Sequence, residues 1–167
     1  MRAVAGEGVT LEPQLASHAA ELYAVIRDPA LYKFIDVKEP ASETFLRARL
    51  QRLETRRSPD GAEHWLNWIV RNPAGELVGY VQATVTPERS AEIAYVFGRA
   101  HWRRGYALAA CRAMIVELRS SYGVTRLTAT LDPANAASLA LLQKLGLGLA
   151  WEDSAASEVG YALNLLP

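Results

Sequence analysis

Two hydrophobic periodicities divide the chain. From Gln14 the apolar residues Leu15, Ala19, Leu22 and Ile26 recur every three or four positions, which predicts an amphipathic helix stopped by Asp28-Pro29. A short strand over 9–12 precedes it and ends at Pro13. Pro40 and Ser42 open a second helix with Phe45, Leu46, Leu50 and Leu53 on its apolar side, and the polar stretch 56–63 reads as a loop. The pattern then becomes that of strands. Residues 65–71 are rich in aromatic and β-branched side chains, Asn72-Pro73-Ala74-Gly75 is a turn, and 77–85 is the returning strand. A second turn, 86–90, leads into a third strand over 91–97, so the three make an antiparallel meander.

The longest helical stretch covers 104–121, with Leu108, Cys111, Ile115 and Leu118 as its stripe and Gly123 as its stop. A strand over 124–130, a helix over 136–145 ended by Gly146, and strands at 147–152 and 158–165 complete the pattern. The strand-helix-strand-helix order after Ala91 implies a parallel pair at the centre of a mixed, mostly antiparallel sheet. The expected fold is α/β (α+β) with about four helices. Without a repeat, a low-complexity tract or a long linker, residues 1–167 are expected to form one domain.

Composition narrows the function. A chain of 167 residues buries roughly 70% of its unfolded surface, enough for one core. Half the residues are hydrophobic and 22% charged, which argues against disorder. Eighteen basic residues balance eighteen acidic ones, so the overall charge offers no footprint for nucleic acid. No run of about 18 apolar residues is present, and the first ten residues lack a signal-peptide core, so the expectation is a cytoplasmic protein without a membrane partner. Cys111 is the only cysteine, which excludes an intrachain disulfide and a thiolate zinc cluster. It reads as a buried structural thiol rather than a nucleophile. Of the histidines, His18 reads as structural and His101 as an exposed loop residue, and nothing resembles a metal site.

The segment with chemistry in it is 92–118: a strand, a short basic loop, Gly105 and then the long helix. That order aims unpaired backbone N–H groups and the positive end of a helix dipole at one spot, a place suited to a pyrophosphate. Gly105 permits close backbone approach, Ala107 keeps the first turn free of bulk, and Arg103 and Arg104 add charge at the rim. The lysine and second glycine of a nucleotide-binding P-loop are missing.

The run Trp102-Arg103-Arg104-Gly105-Tyr106-Ala107 resembles the pyrophosphate loop of the GNAT superfamily of N-acetyltransferases, usually Gln/Arg-x-x-Gly-x-Gly/Ala. Trp102 stands at the Gln/Arg position. This resembles the branch that acetylates the N-termini of ribosomal proteins, where an aromatic-Gly-Lys-Gly-Tyr-Ala form is usual, with Arg103 in place of that branch's first glycine. A second block agrees: Asn135, Ser138, Lys144 and Gly146 match the branch's Asn-x-x-Ser-x-x-x-x-x-Lys-x-Gly-Phe, with Leu147 in place of the phenylalanine. The resemblance covers most of the chain from Trp65 onward.

The resemblance implies an acetyl-CoA-dependent N-acetyltransferase. Its central parallel pair is splayed to receive coenzyme A, and Trp102, Arg103, Arg104, Gly105, Tyr106, Ala107 and Leu108 surround the pyrophosphate. A backbone N–H of Val96 or Phe97 would hold the thioester carbonyl, and Asn135, Ser138 and Lys144 are further cofactor contacts. Glu92 is either the general base that deprotonates the amine or a residue of the strand's solvated face paired with an arginine. Asn135 either touches the cofactor or caps its helix. The position that holds a tyrosine acid in many members is Leu142 here, so Ser138 is the candidate to hydrogen-bond the coenzyme A sulfur, or else a helix residue without chemistry. Tyr32, Phe34, Trp65 and Trp68 either line an acceptor pocket or belong to the core. The acceptor is a primary amine, of a protein N-terminus or of a small molecule, and the protein is a monomer or a homodimer. A non-catalytic acyl-CoA sensor of the same fold is the alternative, and an ATP-binding protein a third reading.

Overall fold

The computed structural model describes residues 1–35 and 38–165. Along the chain run β1 (Val4–Gly6), β2 (Val9–Pro13), α1 (Ala19–Ile26), α2 (Glu43–Leu53), β3 (His64–Arg71), β4 (Leu77–Val85), β5 (Ser90–Phe97), α3 (Tyr106–Tyr122), β6 (Arg126–Leu131), α4 (Ala136–Lys144), β7 (Gly148–Asp153) and β8 (Glu158–Asn164). All eight strands join one sheet in the order β1-β2-β3-β4-β5-β6-β8-β7, and only β5 and β6 are parallel. The mixed sheet and four helices match the pattern read from the sequence. Strand β1 was not foreseen, because three residues carry no period.

The sheet is covered on both faces, which is why β3 reads as a nearly continuous apolar run. Leu66, Trp68 and Val70 pack toward α3, whereas Ile69 packs with Leu22, Ile26, Leu46 and Leu50 of α1 and α2. Helix α1 starts five residues later than Gln14, after a single 3-10 turn over Ala16–His18. Ser42 caps α2 as its sequence predicts, its hydroxyl accepting from the Phe45 N–H at 3.1 Å. Phe45 itself is 55% exposed. It sits about 100° around the helix from the Leu46–Leu50 row, outside the stripe it was expected to join.

Helix α3 is also rotated from its expected stripe. Leu108 and Ile115 are half-buried, while Ala110, Cys111, Ala113, Met114, Glu117 and Leu118 are buried. The reason is β1, which lies across Ala109 and Ala113: a Cβ on Gly6 would meet the Ala113 Cβ at 3.0 Å and the Ala109 carbonyl at 3.4 Å. Small residues at i and i+4 let the backbone of β1 approach, and an apolar-stripe argument passes over them. Gly123, left-handed at φ 64, ends the helix and lets the Val124 N–H return to the Leu118 carbonyl at 3.1 Å. Among the described residues no helix is long and apolar enough to cross a membrane.

Candidate active site

The parallel pairing of β5 with β6 lasts for three residue pairs, Ser90–Arg126, Ala91–Leu127 and Glu92–Thr128. Beyond Glu92, β5 stays paired with β4 as far as Phe97, and β6 stays paired with β8 as far as Leu131, but the two part from each other. The gap opens into a cavity of about 210 Å³ that passes between the strands. On one side of the sheet Tyr32, Phe34, Arg49, Tyr80 and Gln82 line it; on the other, Asn135, Ser138 and Leu142 of the α4 segment do. This volume lies below the roughly 300–1,000 Å³ of pockets that enclose drug-sized ligands. It has room for a small reacting group, not for a whole nucleotide-bearing molecule.

Backbone alternation decides which groups of β5 face the gap. The Gly98 N–H donates to the Val78 carbonyl of β4 at 3.0 Å, so two residues earlier the Val96 N–H also turns toward β4. The polar groups of Phe97 then point the other way, into the parting. Its carbonyl accepts the Trp102 indole N–H at 2.7 Å. Trp102 is 47% exposed and its indole ties the basic loop to the end of β5, an account of the aromatic residue at this position.

After a 3-10 turn over Arg99–His101 the loop makes two left-handed residues, Arg103 at φ 59 and Gly105 at φ 84. Gly105 is the N-cap of α3, without a side-chain cap, and the first helical bond runs from the Ala109 N–H to the Gly105 carbonyl. The N–H groups of Tyr106, Ala107 and Leu108 have no partner among the described residues. Arg103, Arg104 and Gly105 are exposed, whereas Tyr106, Ala107 and Leu108 are half-buried. Free N–H groups and the helix dipole thus meet at the start of α3, with Arg103 and Arg104 exposed in the loop before it, an arrangement that suits a pyrophosphate. Among the described residues no cluster of three or more ligating side chains could hold a metal.

On α4, Asn135 is the N-cap, and its side-chain oxygen accepts the Ser138 N–H at 3.2 Å. It caps and also lines the cavity. Ser138 is half-buried on the cavity wall, and its carbonyl accepts the Tyr95 hydroxyl at 3.4 Å. Sequence reasoning passed over Tyr95. Burial pushes its phenol up to about 12, with the Ser138 side chain acting in the opposite direction. Lys144, at the far end of α4, is exposed and does not line the cavity. Nine residues from Asn135 place it roughly 13 Å along the axis, where its charge complements the helix C-terminus.

Glu92 shares a face with Ala94 and Val96, on the α1–α2 side, and is exposed between Thr84 of β4 and Thr128 of β6. No arginine pairs with it among the described residues. The cavity lining begins one residue further, at Ile93. The four candidate aromatics divide: Tyr32 and Phe34 line the cavity, whereas Trp68 is fully buried with its N–H on the Arg2 carbonyl at 3.1 Å, and Trp65 donates to Glu63 at 2.8 Å. His18 accepts the Leu15 N–H at 3.0 Å, a structural role. His101 departs from expectation. Its side chain is only 10% exposed, with Nε2 3.7 Å from Glu76, because the 3-10 turn folds it under the loop.

Residues 9–148 match the acetyltransferase (GNAT) domain family. The uncharacterized protein YkkB of Bacillus subtilis is 30% identical over 100 residues, an alignment spanning 50% of this chain and 58% of that protein. An acetyltransferase of the GNAT family from Bacillus anthracis superposes with a TM-score of 0.79 at 19% identity, covering 97% of this chain and 98% of that one. RimL, a ribosomal L7/L12 alpha-N-protein acetyltransferase solved with coenzyme A, superposes with a TM-score of 0.80 at 17% identity, covering 95% and 94%. At such identities the structural likeness concerns the fold, and the family match over most of the chain carries the assignment: with its parted parallel pair and its Gly105-led helix, this chain belongs to the GNAT acetyltransferase family.

Proposed function

We propose that the protein transfers an acetyl group from acetyl-CoA to a primary amine within one ternary complex. The observation that carries this reading is the parting of β5 and β6, with a cavity through the gap and, in the segment that follows β5, the free N–H groups that open α3. The cavity suits the thioester end, and the loop from Trp102 to Leu108 suits the pyrophosphate.

The Phe97 N–H would donate to the thioester carbonyl oxygen, which gains charge as the amine nitrogen attacks the carbonyl carbon. A C–N bond forms, the C–S bond breaks and its electron pair goes to sulfur. The surplus amine proton passes to Glu92 through water, since Glu92 stands at the cavity's edge and not in its wall. Ser138 or Tyr95 donates a hydrogen bond to the sulfur. A covalent acyl-enzyme has no support here: no cysteine, histidine, lysine or carboxylate lines the cavity among the described residues, and burial pushes the Cys111 thiol up to about 12.

An exposed, remote base suits some amines better than others. An N-terminal α-amine near ~7.7–8.0 is about a tenth neutral at pH 7, whereas a lysine amine near ~10.4 is neutral in under one molecule in a thousand. A protein N-terminus is therefore the favoured acceptor, consistent with the activity named for RimL.

Titration calorimetry with acetyl-CoA, with ATP as control, followed by thiol-release assays on N-terminal peptides and lysine-bearing peptides, tests the proposal. Saturable binding of acetyl-CoA alone and turnover with the N-terminal peptides are expected, with Glu92→Gln lowering kcat about tenfold or more. Binding without turnover on any amine would turn the reading to an acyl-CoA sensor, and preference for ATP would end it.

A further inference from the structure

On the α1–α2 side of the cavity, taken as the acceptor side, the described lining residues carry one charge, and it is positive. Among the described lining residues Arg49 is the only ionised side chain; its neighbours in the lining on that side include Tyr32, Phe34, Tyr80 and Gln82. Arg49 has no hydrogen bond or ion pair to the protein among the described residues, in contrast to Arg47 two residues earlier, which is paired with Glu43 at 2.6 Å. It shares the cavity lining with the phenols of Tyr32 and Tyr80. Burial raises both phenols and the Arg49 charge acts on both in the opposite direction, in keeping with their shared place in the cavity lining. Outside the lining, the exposed Lys33 ammonium lies 5.0 Å from the centre of the Phe34 ring. The nearby carboxylate of Glu39 is exposed, acts on Tyr32 from outside and does not line the cavity.

A cationic wall repels an ammonium ion. It favours the neutral amine, the form that attacks, and its guanidinium, exposed and without a partner among the described residues, is open to an anion. An acceptor that supplies both an amine and a carboxylate meets these demands at once; a polyamine meets neither. We propose that Arg49 is the specificity-determining residue of the acceptor site and selects primary amines that carry a carboxylate. This rests on the acetyl-transfer reading for the word acceptor, but the binding preference is independent of turnover. The carboxylate can belong to a free amino acid or to the acidic first residue of a peptide, and the two share the chemistry described.

The test is calorimetry on protein saturated with coenzyme A, so that nothing turns over. One arm compares leucine with leucinamide. The other compares amidated dipeptides beginning with glutamate and with glutamine, and spermidine serves as the cationic control. In the native protein the carboxylate member of at least one pair binds tenfold or more tightly than its amide, and the arm with the preference identifies the source. Arg49→Gln removes that preference, Arg49→Lys keeps part of it, and Arg49→Glu shifts binding toward spermidine, all with unchanged affinity for coenzyme A. Equal binding within both pairs, tightest binding of spermidine to the native protein, or no binding of either carboxylate overturns the proposal. Thiol release measured in parallel separates the two readings: acetyl transfer without a charge preference sinks only this one, and a charge preference without transfer sinks only the enzymatic one.

Discussion

The Tyr95 hydroxyl reaches across the gap between β5 and β6 to the Ser138 carbonyl at 3.4 Å, so a strand and a helix that the sheet has let apart are joined by one phenol. With burial pushing the phenol up to about 12, it stays neutral at physiological pH, and its one proton is donated to a departing thiolate only by leaving the Ser138 carbonyl. Tyr95→Phe is expected to lower kcat about tenfold, or ~1.4 kcal/mol, with little change in KM for acetyl-CoA. Ser138→Ala compared beside it, in a thiol-release assay, assigns the sulfur contact: the variant with unaltered kcat drops out of the mechanism.

The loop makes two backbone predictions of opposite sign. Gly105 is left-handed and a Cβ there would meet nothing within 4 Å, so Gly105→Ala costs backbone strain alone. The left-handed penalty of about 1–2 kcal/mol, less the ~0.4–1 kcal/mol gained by stiffening the unfolded chain, leaves a loss of about 0.5–1 kcal/mol. Arg103 already bears that strain at φ 59, so Arg103→Gly is expected to leave stability unchanged or slightly raised while weakening coenzyme A binding through loss of charge. Urea denaturation and calorimetry on the same two variants check both halves.

Arg2 and Glu117 tie the amino-terminal segment to α3. Glu117 continues the Ala109–Ala113 row on which β1 lies; its side chain is 3% exposed, and Arg2 donates to it at 2.7 Å. That bond holds the carboxyl below its ordinary value of 4.5. The stabilisation is therefore present above pH 4.5 and is lost as pH falls through the lower folded value. Arg2→Ala should lower Tm at pH 7, and adding Glu117→Gln should recover part of the loss by removing the unpaired buried charge. The gap in Tm between native protein and Arg2→Ala should shrink as pH falls below 4.5. A pH-independent gap would mean that Arg2 acts by packing alone.

Cys111 sets an alkaline limit. Its thiol is fully buried and pushed up to about 12 by burial, from an ordinary value near 9. Above pH 9 the unfolded chain loses this proton and the folded one keeps it, so stability is complete below pH 9 and declines between 9 and 12 at up to about 1.4 kcal/mol per pH unit. Tyr32 and Tyr95, both pushed up to about 12 chiefly by burial, add to the decline above pH 10. Urea midpoints measured from pH 8 to 10.5 should fall in the native protein and fall less in Cys111→Ala. Parallel curves for the two would show that the thiol is not the titrating group.

Local order was legible along the chain because it depends on neighbours in sequence. Ser42 and Gly123 bound their helices, the turn at 72–75 joins β3 to β4, and Gly105 opens α3, each for a reason contained within a few residues. The same held for the parallel pair, since a strand-helix-strand run leaves little other choice. What waited on the tertiary structure was which face each element turns to which partner. The α3 stripe rotated because β1, too short to carry a period, packs on two alanines. Two of four aromatics became cavity wall and two did not, because backbones remote in sequence decide what lies opposite them. Tyr95, Arg49 and Tyr80 meet at one cavity only because β5 and β6 part after three residue pairs, and that parting is a property of the whole sheet's geometry with no local sequence signal.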